Sequence, residues 1–348
     1  MRFNNVYIET FGCHLPENIV SSDELEHRLA PVYERLKMSI GRLELMSGIK
    51  ERRFWDAGVL PSEIGSIAGE KVLEKSGIDR KEIGCLISAS VCRDFLEPAT
   101  AAVVHNNLEL PQDAVVFDIS NACLGVLNGM LHVANMIELG QIKAGLIVAG
   151  ENGGPLVDAT IKALLARPDI SRGDVKTAFA SLTIGSAAAA VLLVHQDISR
   201  SGHKFLGGAC RAATQFNDLC RGNADTGMGA GSTPLMETDA ETLMQEGCAL
   251  AKETWEIAKT NLNWSDQGVD RVFTHQVGRL HRKLLYESLN LDLDKDFSTL
   301  EFLGNTGSAA LPVTLALGEE KGVLRSGDKV CLLGIGSGLN SIMIGVEW

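Results

Sequence analysis

Residues 118–140 have the sequence DISNACLGVLNGMLHVANMIELG. Residues 114–119, which lead into it, have the apolar pattern of a buried strand, and residues 124–139 have the pattern of a helix that ends at Gly140. The helix is apolar nearly all round, which predicts that it lies inside the protein. A buried strand that leads directly into a buried helix indicates a layered α/β fold.

The rest of the chain continues this alternation and then repeats it. The predicted elements of the first half are helix 62–76 and strands 86–91, 114–119 and 145–149, and those of the second half are helix 240–259, strand 271–274, a helix from about 308 and strand 329–333. A shift of 182 residues brings the first set near the second, and Cys123 then falls on Asn305. We therefore predict two related halves, residues 1–175 and 176–348.

Composition excludes several function classes. The 348 residues carry a net charge of −12, which disfavours nucleic acid and anionic membranes as partners. The longest uncharged stretch, 178–194, is interrupted by Ser, Thr and Gly, so it predicts a buried strand and no membrane span. The first residues have no signal-peptide pattern, and the eight cysteines form no C-x-x-C pair, which predicts a cytoplasmic protein with reduced thiols. No histidine spacing indicates a metal site.

Cys123 is a candidate nucleophile because of its place between strand and helix. A thiol at a helix N-terminus meets free N–H groups and the positive end of the helix dipole, which predicts a lowered pKa and a reactive thiolate. The alternative is an ordinary buried cysteine, since free cysteine is among the most buried residue types.

Two further polar residues follow predicted elements of the second half. His275 ends strand 271–274, and Asn305 lies just ahead of a helix. Taken singly, His275 fits a hydrogen-bonded structural histidine and Asn305 fits a helix cap. Together with Cys123, they form the set that attacks a thioester and holds its oxyanion, and the Gly-rich turn 334–338 offers backbone N–H donors to the same oxygen.

The motifs at 120–123, 275–276, 304–307 and 334–338 resemble those of the thiolase superfamily, and more narrowly of ketoacyl synthase III-type condensing enzymes. The resemblance extends from Asn5 to Trp348. It implies an α/β thiolase fold of five layers, αβαβα, built from two duplicated halves, and a homodimer. It also implies an acyltransferase in which Cys123 is acylated, His275 and Asn305 are its catalytic partners, and the amides of Cys123 and Ser337 form the oxyanion hole.

Within the superfamily, the chain is similar to the condensing enzymes of long-chain olefin biosynthesis (OleA-type). The similar segments are 21–25, 48–55, 93–98, 219–221 and 333–340. The resemblance implies head-to-head condensation of two fatty acyl-CoA molecules without loss of CO2. This reaction needs a base to remove an α-proton, and Glu97 matches the glutamate that enters the partner subunit's site for that purpose. Without the resemblance, Glu97 fits a solvated loop carboxylate.

Two other functions are open at this stage. A decarboxylative synthase that uses acyl-CoA and malonyl-acyl carrier protein needs the same triplet of Cys, His and Asn, but it needs no base such as Glu97. In initiating synthases a Trp and an Arg hold CoA, and this chain has Arg42 and Met46 at those positions, which also argues against such a synthase. A non-catalytic carrier of acyl thioesters would keep the fold with an inert thiol. We expect no cofactor beyond CoA or acyl carrier protein as substrate carrier, and Arg279 is the candidate CoA contact.

Overall fold

The computed structural model describes residues 1–222 and 234–348. The strands in these ranges are Val6–His14 (β1), Asn18–Ser21 (β2), Glu51–Phe54 (β3), Ile83–Ser88 (β4), Val115–Asp118 (β5), Ala144–Glu151 (β6), Ala187–His195 (β7), His203–Ala212 (β8), Cys220–Gly222 (β9), Met236–Thr238 (β10), Arg271–Thr274 (β11), Lys329–Gly336 (β12) and Asn340–Glu347 (β13). The α-helices are Ser22–Arg28 (α1), Ala30–Leu36 (α2), Arg42–Ser47 (α3), Pro61–Ser76 (α4), Thr100–Asn107 (α5), Gly125–Glu138 (α6), Gly154–Ala166 (α7), Arg172–Leu182 (α8), Ala240–Leu262 (α9), Arg279–Leu289 (α10), Leu300–Leu303 (α11) and Ala310–Glu320 (α12).

The elements predicted from the apolar pattern all occur, with shifted ends. The strand predicted at 86–91 is β4, which already ends at Ser88 because the chain leaves the sheet there. The helices predicted from 124 and from about 308 are α6 and α12, and each begins slightly later because a short 3-10 turn precedes it, Ala122–Leu124 and Gly307–Ala309 respectively. The apolar end of stretch 178–194 is the buried strand β7, as predicted.

The main sheet of the described residues has the strand order β11-β12-β13-β8-β1-β7-β6-β4-β5. The strands β4, β5 and β6 are parallel, as are β11 and β12, whereas β7 and β13 run antiparallel to their neighbours β6 and β12. Only two residue pairs, Tyr7–Lys204 and Ile8–His203, join β1 to β8. On either side of this junction the order is the same, β1-β7-β6-β4 and β8-β13-β12-β11, which is the arrangement expected of two related halves.

Alternate residues of each strand pack into different helix layers. Ile87 of β4 and Leu332 of β12 belong to one central core that also contains α6 and α12. Leu86, next to Ile87, packs outward on α4, and Leu333 packs outward on α9 and α10. The two halves of the main sheet, β1-β7-β6-β4-β5 and β8-β13-β12-β11, therefore form two sheet layers, with one helix layer between them and one on each outer side. This confirms the predicted αβαβα architecture, and burial on both faces explains why strands such as β4, β6 and β12 are apolar nearly throughout.

For the turn that holds Cys123 and for the strand after α6, the offset between the halves is 185 residues in the structure, not 182. The turn before α6 and the turn before α12 begin at 122 and 307, and β6 and β12 begin at 144 and 329. With this offset, the residue of the second half that corresponds to Cys123 is Ser308, and Asn305 lies three residues before Ser308. The assignment of Cys123 and Asn305 to the same position is wrong, because residue pattern alone does not fix loop lengths. The division of the chain at residue 175 stays a prediction, and β7, which comes after residue 175 in the chain, pairs with β1 and β6 of the first half.

Candidate active site

Cys123, His275 and Asn305 line one cavity of about 1240 Å³. Cys123 lies in the turn between β5 and α6, and His275 directly follows β11. Asn305 lies ahead of the turn before α12, where its main chain forms a bridge with Ile184. The ends of strands from both halves therefore bring the three residues together, although Cys123 and Asn305 are far apart in the chain.

The backbone around Cys123 is tightly constrained. Ala122 has φ of 44°, in the left-handed region that costs a residue with a Cβ about 1–3 kcal/mol. A Cβ atom on Gly336 would lie 2.9 Å from Leu124 Cγ and 3.7 Å from the Cys123 nitrogen. The absence of a side chain at Gly336 therefore lets β12 approach the nucleophile turn. Ser337, which follows it, lines the same cavity, so the proposed oxyanion donors belong to adjoining segments.

The electrostatics of Cys123 differ from the sequence-based expectation. Burial, followed by the negative charge of Glu151 and by Cys220, raises the pKa of the Cys123 thiol to about 12. The prediction of a lowered pKa is wrong, because the surrounding protein and a carboxylate disfavour the thiolate more than the turn and helix N–H groups favour it. In the unliganded protein Cys123 is therefore a thiol at neutral pH.

His275 is 5% exposed and is held by its main chain, whose N–H donates to the Leu333 carbonyl at 3.0 Å. Neither ring nitrogen has a hydrogen-bond partner within residues 1–222 and 234–348. Burial, and secondarily His281, lowers the pKa of His275 to about 3. The imidazole is therefore neutral near pH 7, and no hydrogen bond within these ranges commits either ring nitrogen.

Asn305 is held by its main chain and by one side-chain atom. Its N–H donates to the Thr183 carbonyl at 3.0 Å, its own carbonyl accepts from Gly185 N–H at 2.9 Å, and its Oδ1 accepts from Gly307 N–H at 3.0 Å. The side-chain NH2 group donates to no described residue, so it is available to a substrate oxygen.

Glu151 is a buried acid of the cavity that the sequence analysis missed. It is the last residue of β6 and is 4% exposed. Its carboxylate accepts from the backbone N–H groups of Val91, Cys92 and Ser308. Burial raises its pKa, and these hydrogen bonds work in the opposite direction. A carboxylate that directly follows a wholly apolar strand, as 144–150 is followed by Glu151, is the signal that could have found it.

Glu97 is exposed and does not line the cavity of its own chain. Its loop is anchored at both ends. Asp94 Oδ1 accepts from Ser62 N–H at 2.9 Å, and Asp118 accepts from the N–H groups of Thr100 and Ala101 at the start of α5. The structure of a single chain therefore does not bring Glu97 to Cys123, and its entry into a partner's site stays a prediction.

The candidate CoA contact Arg279 is exposed at the start of α10 and does not line the cavity. Its side chain lies over Gly48, where a Cβ atom would be 2.9 Å from Arg279 Nε, and it neighbours the Lys50–Glu301 ion pair. The lining instead contains four other basic residues, Arg42, Arg93, Arg172 and Lys176. The sequence analysis did not identify these four as a group.

Two negative findings apply to residues 1–222 and 234–348. No group of three or more His, Cys, Asp or Glu side chains is placed to hold a metal ion. No helix there has the length and apolar character needed to cross a membrane.

Comparison with known proteins identifies the family. The thiolase N-terminal domain matches residues 54–201, and the C-terminal domain of 3-oxoacyl-[acyl-carrier-protein] synthase III matches residues 258–348. The chain is 42% identical to an acyl-CoA:acyl-CoA alkyltransferase of Shewanella oneidensis and 36% identical to one of Xanthomonas campestris, each over the full length of both proteins. It is 28% identical to a β-ketoacyl-[acyl-carrier-protein] synthase III of Clostridium beijerinckii, over 99% of this chain and 100% of that one.

The structural comparison agrees. The crystal structure of Xanthomonas OleA with bound cerulenin matches with a TM-score of 0.94 at 36% identity, over 100% of this chain and 98% of that one. The predicted resemblance and thiolase fold are confirmed. The chain belongs to the acyl-CoA:acyl-CoA alkyltransferase (OleA) family of thiolase-fold condensing enzymes.

Proposed function

We propose that the protein is an acyltransferase that joins two fatty acyl-CoA molecules by a non-decarboxylative, head-to-head Claisen condensation. The observation that carries the proposal is the placement of Cys123, His275 and Asn305 in one cavity of a chain 42% identical to an acyl-CoA:acyl-CoA alkyltransferase. The cavity volume of about 1240 Å³ exceeds the range of about 300–1,000 Å³ that is usual for a single small ligand, which supports binding of two acyl groups.

In the first half-reaction Cys123 Sγ attacks the thioester carbonyl of one acyl-CoA. The amides of Cys123 and Ser337 hold the oxyanion, the bond from carbonyl carbon to CoA sulfur breaks, and CoA leaves as a thiol with the proton that Cys123 loses. Because Cys123 is a thiol in the unliganded protein, this proton must move as the substrate is attacked. The neutral imidazole of His275 is a suitable acceptor for it.

In the second half-reaction Glu97 from the partner subunit takes an α-proton from a second acyl-CoA. The oxygen of the resulting enolate accepts hydrogen bonds from neutral His275 and from Asn305. Its α-carbon attacks the acyl-Cys123 carbonyl, the carbon–sulfur bond to Cys123 breaks, and the Cys123 sulfur takes up the proton that Glu97 removed from the α-carbon, which restores both groups. The product is a β-ketoacyl-CoA with both chains, and no CO2 is released.

A homodimer is the proposed assembly, because the Glu97 loop has the properties of an interface. The neighbouring side chains Phe95 and Leu96 are 48% and 49% exposed. The edge strand β5 pairs only with β4 within the described residues, and its Val115 is 47% exposed. Exposed apolar side chains beside an open strand edge favour pairing with a second copy.

Basic side chains of the lining are suited to the phosphates of CoA. Arg42 at the start of α3 and Arg172 and Lys176 of α8 line the cavity together with apolar residues such as Leu156 and Phe179, so one cavity offers both a charged and an apolar surface. The protein needs no further cofactor in this proposal, and acyl carrier protein is an alternative carrier. All eight cysteines are free, which fits the reducing cytoplasm.

The test uses purified protein in two reactions analysed by mass spectrometry. One contains a long-chain acyl-CoA alone, and the other contains a short acyl-CoA with malonyl-acyl carrier protein. We expect a doubled-chain β-keto acid, or its ketone breakdown product, from acyl-CoA alone. Glu97→Gln should still acylate Cys123 but lose condensation by about 10²–10⁴-fold, the usual contribution of a general base. Product only in the malonyl reaction would instead show a decarboxylative synthase.

A further inference from the structure

Glu151 is a buried carboxylate for which the proposed mechanism has no chemical step. It lies at the end of β6 and lines the same cavity as Cys123. Burying a carboxylate costs free energy unless donors satisfy it, and here the donors are backbone N–H groups that no side-chain substitution removes. The segments that supply these N–H groups are therefore the segments whose positions Glu151 fixes.

The donors come from two separate segments. Val91 N–H donates to Oε1 at 2.8 Å and Cys92 N–H donates to Oε2 at 3.2 Å, and these two residues begin the loop that carries Glu97. Ser308 N–H donates to Oε1 at 3.2 Å from the turn that follows Asn305. One carboxylate thus joins the loop of the proposed base to the turn of the proposed enolate donor.

The Asn305 turn also packs directly on this carboxylate. A Cβ atom on Gly307 would lie 3.1 Å from Glu151 Cδ, and the Gly307 N–H donates to Asn305 Oδ1. Ser308 in turn contacts the nucleophile helix, because its Oγ accepts from Val126 N–H at 3.0 Å. The turn that follows Asn305 is therefore held both to Glu151 and to the helix that follows Cys123.

We infer that Glu151 is a positioning residue for the condensation step, which fixes the Glu97 loop and the Asn305 turn relative to each other. The inference rests on the proposed function, since only the second half-reaction uses both Glu97 and Asn305. Acylation of Cys123 uses backbone donors and is expected to depend on Glu151 much less.

Glu151→Gln and Glu151→Asp are the test variants. The amide of Gln presents an N–H group to at least one backbone N–H, so at least one of the three hydrogen bonds is lost. Asp keeps the carboxyl group but retracts both oxygens by one methylene. The matched control is Glu9→Gln, because Glu9 is also buried and accepts from the backbone N–H groups of Arg200 and Ser201, but does not line the cavity.

The quantity measured is the ratio of the rate of condensation to the rate of Cys123 acylation. Intact-mass spectrometry measures acylation of Cys123 by a long-chain acyl-CoA, and product analysis measures condensation. We expect both Glu151 variants to acylate no more than about threefold more slowly than Glu9→Gln, since loss of the Glu151 charge in the Gln variant also favours the Cys123 thiolate, and to condense at least tenfold more slowly. A displacement of about 1 Å can cost about 10²-fold in rate. If Glu151→Gln is insoluble, Glu151→Asp alone decides the outcome.

The inference is overturned if acylation and condensation fall together, which is the result of a purely structural role. It is also overturned if both variants condense as fast as Glu9→Gln. Wild-type protein that makes no doubled-chain product from acyl-CoA alone refutes the proposed function instead, so the two failures are distinguishable.

Discussion

The protonation state of His275 can be tested through the stability of the protein. Unfolded histidine has a pKa of about 6.5, whereas burial lowers the pKa of His275 to about 3 in the folded protein. Between pH 7 and pH 5 the unfolded chain therefore binds a proton at this position and the folded chain does not. A depressed pKa in the folded state means that stability is present above pH 6.5 and is lost as the pH falls.

The size of the effect follows from the same values. Each pH unit below 6.5 favours the unfolded state by about 1.36 kcal/mol per such group, so the free energy of unfolding should fall by about 2 kcal/mol between pH 7 and pH 5 because of His275. The folded pKa needs only to lie well below 5 for this result. The missing hydrogen-bond partners of both ring nitrogens, within the described ranges, explain why nothing stabilises a charged ring.

Urea unfolding of wild type and His275→Gln at both pH values provides the measurement. The loss of unfolding free energy from pH 7 to pH 5 should be about 2 kcal/mol smaller in the variant. His27→Gln is the control, since the His27 side chain is 61% exposed and its replacement removes no buried ring. An equal loss in wild type and His275→Gln would refute the argument and would show that a charged imidazole is tolerated in the cavity.

Three further predictions concern the nucleophile, its helix and the proposed interface. Iodoacetamide should alkylate Cys123 about tenfold faster per pH unit from pH 7 to pH 10, because burial raises the pKa to about 12; a rate plateau below pH 9 contradicts this. Gly125→Ala places a Cβ atom 2.3 Å from the Ala89 carbonyl oxygen, so it should cost at least about 1–3 kcal/mol in thermal unfolding, whereas Gly173→Ala, whose Cβ meets only an atom at 3.4 Å, should not. Phe95→Asp, at a side chain that is 48% exposed and does not line the cavity, should convert a dimer into monomers in sedimentation velocity and abolish condensation; an unchanged dimer places the interface elsewhere.

The element types were predictable because their patterns are local. A strand buried on both faces needs continuous apolar residues, and α6 is apolar on all sides because it lies between two sheets. The element ends were less predictable. The strand predicted at 86–91 ends at Ser88. Both central helices are preceded by 3-10 turns closed by local hydrogen bonds, from Leu124 N–H to the Asn121 carbonyl and from Ala309 N–H to the Thr306 carbonyl, and the apolar pattern does not distinguish such a turn from the helix that follows.

The sequence by itself determined the layered α/β architecture, the resemblance to condensing enzymes and the residues proposed for thioester chemistry. These follow from periodicity and from short motifs, which depend on neighbours in the chain. Cys123, His275 and Asn305 could be named in advance because each occurs at a turn with a recognisable pattern.

Only the tertiary structure decided the electrostatics of the cavity. A helix N-terminus predicted a low pKa for Cys123, but enclosure by protein and the charge of Glu151 raise it. Glu151 could be identified only from the tertiary structure, since the backbone N–H groups that donate to it, at 91, 92 and 308, lie in segments that are far apart in the sequence. Charge interactions and desolvation depend on distances in space, and the packing of both halves around one cavity sets those distances.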